Sequence, residues 1–173
     1  KPTTDLLSSA SHIISLTPLR KTIAQHLERS AREIPSAWTM FEVDVTGMVA
    51  YRAAQRDAFK QAVGVPLTYL PLTAYVIVQA LMENPLLNGR WTETGIVQHG
   101  NVNLGVAVST DVGLLVPVIH RADELGIRDL AVRAHSLITA ARVGKLALED
   151  VQGGTFTLNN TGSLGSVVSV PII

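Results

Sequence analysis

A run of hydroxyl and amide side chains, Thr157, Asn159, Asn160, Thr161 and Ser163, begins on a predicted strand and breaks into glycines. Such groups at a strand end can donate hydrogen bonds to a developing oxyanion; the same run also fits a polar hairpin turn. Arg52, by spacing alone, reads as a solvated helix arginine. The five histidines are scattered. His12 lies in an N-terminal arm, His26 and His135 on the polar sides of helices, His99 in a turn, and His120 at the end of a strand. Each reads as a solvated or hydrogen-bonded imidazole, and His120 has the best opening to chemistry because strand ends border clefts. No two histidines stand at metal-ligand spacing, and no metal is expected. Glu42 and Asp44 share one face of a strand and read as a polar face rather than an acid/base pair.

Self-sufficient motifs are absent. Gly144-Lys145-Leu146 lacks the Ser/Thr and the preceding glycines of a phosphate-binding loop. Thr161-Gly162-Ser163-Leu164-Gly165 has the order G-S-x-G, not the G-x-S-x-G of a nucleophile elbow. Asn159-Asn160-Thr161 matches a glycosylation sequon, but no secretory signal accompanies it.

Composition narrows the function classes. The 173 residues carry 14 Lys+Arg against 14 Asp+Glu, a balance that argues against nucleic acid and against a polybasic membrane-surface protein. Hydrophobic residues at 47% and charged residues at 16% describe a folded chain with little charged surface to spare, so an interface between subunits is expected. With no Cys, disulfides, thiolate zinc sites, iron–sulfur ligation and a Cys nucleophile are excluded, and a cytoplasmic location fits. No apolar run approaches the ~20 residues of a membrane span.

The elements that must position the candidate groups can be read from periodicity. Residues 1–16 read as a linker or arm. Thr17 caps and Pro18 opens a helix with Leu19, Ile23, Leu27 and Ala31 at helical spacing, which Pro35 ends. Trp38–Val45 alternates and predicts a strand; Thr46 then caps a helix to about Val63. Pro71 opens a third helix, apolar nearly all round, that Pro85 stops. Asn88-Gly89 signals a turn and Ile96-Val97 a short strand. Val102, Leu104, Val106 and Val108 alternate as a half-buried strand, and a turn at Thr110–Gly113 returns the chain into an apolar strand, Leu114–Ile119. Pro117 in that strand, lacking an amide donor, requires an edge or bulge. A fourth helix follows Gly126, with a stripe of Ile127, Leu130, Ala131, Ala134, Leu137, Ile138 and Ala141, and stops at Gly144. Strands are expected at Thr155–Asn159 and Val167–Ile173. The sum is a two-layer α/β sandwich with a mixed sheet.

Several stretches together resemble one family, the dihydrolipoamide acyltransferase components of 2-oxo acid dehydrogenase complexes, in their catalytic core domain. They are Thr17-Pro18-Leu19-Arg20-Lys21-Thr22-Ile23-Ala24, Phe41-Glu42-Val43-Asp44-Val45-Thr46, Leu67-Thr68-Tyr69-Leu70-Pro71 and Asn84-Pro85-Leu86-Leu87-Asn88. Asn103-Leu104-Gly105-Val106-Ala107-Val108, Gly113–Ile119, Leu148–Leu158 and Pro171-Ile172-Ile173 continue the match in family order. The resemblance implies a chloramphenicol acetyltransferase-like fold over residues 17–173, incomplete at its C-terminus, after a flexible linker at 1–16. It implies trimers that build a cubic or dodecahedral core. It also implies acyl transfer between dihydrolipoamide on a lipoyl domain and coenzyme A, with decarboxylase and dihydrolipoamide dehydrogenase components as partners. A non-catalytic core protein of the same complexes is the alternative, and a stand-alone acyltransferase of the chloramphenicol type a third reading.

The family uses a histidine base in a His-x-x-x-Asp-Gly motif. No histidine here is followed by Asp-Gly at that spacing, so the chain is expected to stop short of the motif and to be inactive by itself. The resemblance places Arg52 where the family's arginine pairs with the acid of that motif, a carboxylate–guanidinium fork that would fix the backbone around the base. It places Asn159 where the family carries an oxyanion-stabilising hydroxyl; an amide NH2 can also donate. Thr157 shares that face by strand alternation. Leu115 and Pro117 border the substrate channel by the same resemblance.

Overall fold

The computed structural model of the chain describes residues 15–34, 36–111 and 113–160. Packing divides it into two units, one reaching Phe41 and the other beginning at Glu42. The expected strand Val167–Ile173 and the residues Thr161 and Ser163 lie outside the described residues.

The first unit contains helix α1, Pro18–Glu33. Its start is as the sequence predicts: the Thr17 side chain accepts a hydrogen bond from the Arg20 amide at 3.3 Å, and Pro18 occupies the first turn, where no intrahelical donor is required. The helix closes at Glu33, with the Ile34 amide bonded to Ser30 O at 2.9 Å.

Residues 36–45 form no strand, which corrects the expectation for Trp38–Val45. Alternation favours an extended backbone, but a strand also needs a hydrogen-bonded neighbour. None is present among the described residues, and Trp38, Phe41 and Val43 are 70%, 82% and 70% exposed.

In the second unit, α2 runs Thr46–Val63 and buries no residue. Its cap differs from the expected Thr46. Thr46 is the first helical residue, and Asp44 Oδ1 accepts from the Thr46 amide at 2.8 Å. The Thr46 hydroxyl and amide together hold the exposed Asp44 carboxyl below its ordinary pKa. Helix α3, Tyr69–Glu83, starts two residues before Pro71, which sits harmlessly in the first turn. It buries Leu72, Ala74, Val78 and Leu81 but leaves Val76 half exposed, so one side of this apolar helix stays uncovered. After a 3-10 turn, Pro85–Asn88, a hairpin pairs β1 (Gly89–Thr92) with β2 (Gly95–Gln98). Only the second of these strands is legible in the sequence.

The predicted strand 102–108 is two strands, β3 (Leu104–Val106) and β4 (Val108–Thr110), broken at Ala107. Its buried set is as predicted: Val102, Leu104, Val106 and Val108 are all in the core. The apolar run after the turn also divides, into β5 (Gly113–Leu115) and β6 (Val118–Ile119), with Val116 and Pro117 between them. β4 pairs with β5 as a hairpin. β6 lies antiparallel to β3, and β7 (Phe156–Leu158) lies parallel to β3 on its other side, giving a mixed sheet ordered β6-β3-β7.

Helix α4, Ile127–Arg142, lies along α3, and both cover the buried strand residues. Its stripe reads as expected: Leu130, Ala131, Ala134 and Ala141 are buried, with Leu137 and Ile138 packed against the core. Gly144, at φ +67°, follows the helix end. The core joins Ala74, Val78 and Leu81 of α3 to Leu104, Val106 and Ile119 of the sheet and Leu130 and Ala134 of α4. One layer is helical and one is sheet, the α/β sandwich that the apolar periodicity demands.

Candidate functional site

The polar end of β7 is set by β3. The Thr155 and Phe156 amides donate to Asn103 O at 2.8 and 3.4 Å, and the parallel register then runs Leu104 with Phe156, Gly105 with Thr157, and Val106 with Leu158. At the far end the Ala107 amide donates to Leu158 O at 3.0 Å. This ladder stops one residue before Asn159. Thr157 and Asn159 are both exposed, while Phe156 and Leu158 pack against the core. Alternation along the strand therefore puts the two candidate donors on the outer side.

Gly105 lets β7 sit close. A Cβ there would lie 3.3 Å from Thr157 Oγ1 and 2.9 Å from Val116 Cγ1, tighter than side-chain packing tolerates. Pro117 is fully buried between β5 and β6, and its carbonyl accepts from the Val106 amide at 2.8 Å. Having no amide donor costs nothing at this break, as expected. Leu115, at the end of β5, is half-buried against the core. The backbone at Val106 thus links Pro117 on one side to Leu158 on the other, and Thr157 shares this three-stranded sheet with the segment carrying Pro117.

Arg52 is built into a different corner. It lies on α2, its Nε donates to Leu67 O at 3.0 Å, and its guanidinium stands over the Tyr69 ring at 4.7 Å from the centroid. This stacking fixes the plane of the guanidinium. Among the described residues no hydrogen bond or ion pair joins Arg52 to Thr157 or Asn159. Tyr69 was not singled out by sequence reasoning; its signal was its place in Leu67–Pro71.

His120 is exposed, and its Nε2 lies 3.1 Å from Glu149 O, so it reads as a hydrogen-bonded surface imidazole. His26 and His135 are also exposed, and His12 falls outside the described residues. Among the described residues no group of His, Asp or Glu is placed to hold a metal. No described helix is long and apolar enough to cross a membrane. Two pockets, of about 230 Å³ beside Asn88 and Asp123 and about 480 Å³ beside Val65 and His135, include none of the predicted site residues in their walls.

Comparison with known proteins decides the relationship. Residues 8–173 match the catalytic domain of 2-oxoacid dehydrogenase acyltransferases. The chain belongs to this family. It is 48% identical over 160 residues, 92% of its length, to the lipoamide acyltransferase component of the branched-chain alpha-keto acid dehydrogenase complex of Bacillus subtilis, of which it spans 38%. It is 37% identical, over 39% of that protein, to the succinyltransferase component of the 2-oxoglutarate dehydrogenase complex of Bartonella vinsonii. The chain thus spans about two fifths of the length of these curated relatives. A probable dihydrolipoamide acetyltransferase from Listeria monocytogenes superposes with a TM-score of 0.90 at 44% identity, over 96% of this chain and 71% of that one. The cubic core of the pyruvate dehydrogenase multienzyme complex superposes at 0.92 and 32% identity, over 100% and 72%. The mixed α/β sandwich is the fold of these acyltransferase cores, as the resemblance implies.

Proposed function

We propose that residues 17–173 are part of an acyltransferase catalytic core, preceded by a linker at 1–16, that moves an acyl group between dihydrolipoamide and coenzyme A. The observation that carries the reading is the exposed end of β7, where Thr157 and Asn159 face outward from a sheet whose central strand donates to the Pro117 carbonyl. The identity to the Bacillus subtilis lipoamide acyltransferase supports it.

The chemistry is thioester exchange. The sulfur of one thiol attacks the thioester carbonyl, its proton goes to a base, and the carbonyl oxygen becomes an oxyanion. The intermediate then expels the other thiol, which recovers a proton from the same base. Asn159 Nδ2 would donate to the oxyanion, with the Thr157 hydroxyl beside it on the same strand face. Arg52, stacked on Tyr69, would hold the carboxylate of the family's His-x-x-x-Asp-Gly motif. The 173 residues contain no such motif, so the chain alone is proposed to be inactive. Leu115 and Pro117 would border the channel for the two thiols.

The full-length protein would work in the cytoplasm as a homotrimer within a larger core. A lipoyl domain would deliver the acyl group, with decarboxylase and dihydrolipoamide dehydrogenase components bound to the assembly. The test is acyl transfer from acetyl-, succinyl- and branched-chain acyl-CoA to dihydrolipoamide by the full-length protein. Turnover with one of these classes is expected. Assembly without turnover on any of them supports a scaffolding core protein instead.

A further inference from the structure

Asn103 ties three separate segments together at the start of β3. Its Oδ1 accepts from the Arg121 amide at 2.9 Å, and its Nδ2 donates to Gly153 O at 2.9 Å. Its own amide donates to Thr155 Oγ1 at 3.0 Å, and its carbonyl accepts from the Thr155 amide. Arg121 is held at φ +51°, a left-handed conformation unfavourable for a residue with a Cβ, and Gly153 at φ +74°. Both irregular turns are therefore anchored on the two ends of one side-chain amide.

We infer that Asn103 is a positioning residue for the oxyanion site: through Gly153 and Thr155 it fixes where β7 begins along β3, and so where Thr157 and Asn159 stand. This rests on the acyltransferase reading above. β7 is only three residues long. A strand so short has little ladder of its own to resist sliding or fraying, and a parallel neighbour gives no tight turn to set the register. The Asn103 bonds supply that reference at one end, and the Ala107–Leu158 bond reads it out at the other. Asn103 touches no reacting atom in this scheme; its effect passes through the backbone of residues 153–158.

The test uses the full-length protein with Asn103→Asp, Asn159→Ala and the double variant. Asn103→Asp keeps the acceptor for Arg121 and loses the donor to Gly153. Expected is a fall in kcat of about tenfold with unchanged KM for coenzyme A, because misplacing a donor costs rate rather than binding. In the Asn159→Ala background the same change should cost clearly less than tenfold further, since one of the two donors it positions is already gone. The Ala107 amide should exchange with solvent about tenfold faster in Asn103→Asp while the α4 amides keep their protection. Unchanged kcat, losses that multiply in the double variant, or unchanged Ala107 exchange would each overturn the inference. Should Asn159→Ala itself leave turnover intact, the oxyanion reading falls, and the role of Asn103 in seating β7 is then decided by the exchange measurement alone.

Discussion

Gly105 and Thr157 stand directly opposite each other in the parallel ladder, so close that a single methyl group on Gly105 would come within 3.3 Å of the threonine hydroxyl oxygen and 2.9 Å of Val116. Gly105→Ala should therefore push β7 and the Val116 side chain apart, at a cost of about 1–3 kcal/mol in unfolding free energy. Adding Val116→Ala removes the shorter of the two contacts and should recover part of the loss. Urea titrations of the three proteins check both statements; a double variant no more stable than Gly105→Ala would place the strain elsewhere.

Asn159 is the sharpest test of the proposed chemistry. Losing one oxyanion donor raises the barrier by about 3–4 kcal/mol, so Asn159→Ala in the full-length protein should lower turnover by roughly two orders of magnitude or more with assembly intact. Steady-state kinetics beside sedimentation measures both. Wild-type turnover would remove Asn159 from the mechanism.

Arg52 and Tyr69 should be coupled. Arg52→Lys keeps the charge but loses the planar Nε donor to Leu67 O, with an expected cost of about 1 kcal/mol. In a double-mutant cycle of Arg52→Met with Tyr69→Leu, a coupling of about 0.5–1 kcal/mol is expected from the cation–π contact. Denaturant midpoints of four proteins measure it, and additive losses would show that the stacking contributes nothing.

Asp44 gives α2 a pH-dependent start. Its folded pKa is depressed, by the Thr46 hydroxyl first and the Thr46 amide second, so its contribution is present above the unfolded carboxylate value of about 3.9 and is lost as pH falls through the lower folded value. Asp44→Ala should be less stable than wild type at neutral pH, with a difference that shrinks on acidification. Asp44→Asn keeps an acceptor and should lose the pH dependence. Thermal melts across the acid range distinguish the three; a constant gap between wild type and Asp44→Ala would refute the role of the Asp44–Thr46 bond.

The helices were legible because their signals are local. Thr17 and Pro18 mark the start of α1, and the small-residue stripe from Leu130 to Ala141 marks the buried side of α4. The alternation from Val102 to Val108 also predicted burial correctly, yet it could not reveal the break at Ala107. There the pairing partner changes from β6 and β7 to β5, and partners are not written in a strand's own residues. The same limit explains the strand expected at Trp38–Val45, where alternation exists without a neighbour among the described residues. At the site, Asn159 and Arg52 emerged through family resemblance and not through spacing. Asn103 carried no flag, because its side-chain partners lie 18 and 50 residues away. Only the folded chain brings them to one amide.

The long gap between β3 and β7 has a consequence during synthesis on the ribosome. β6 begins 12 residues after β3 ends, but β7 does not exist until residue 156 has been added. At about 5–20 residues per second, roughly 3–10 s separate the completion of β3 from the start of β7. For that interval one row of backbone N–H and C=O groups on β3 has no ladder partner, an edge open to pairing with another chain.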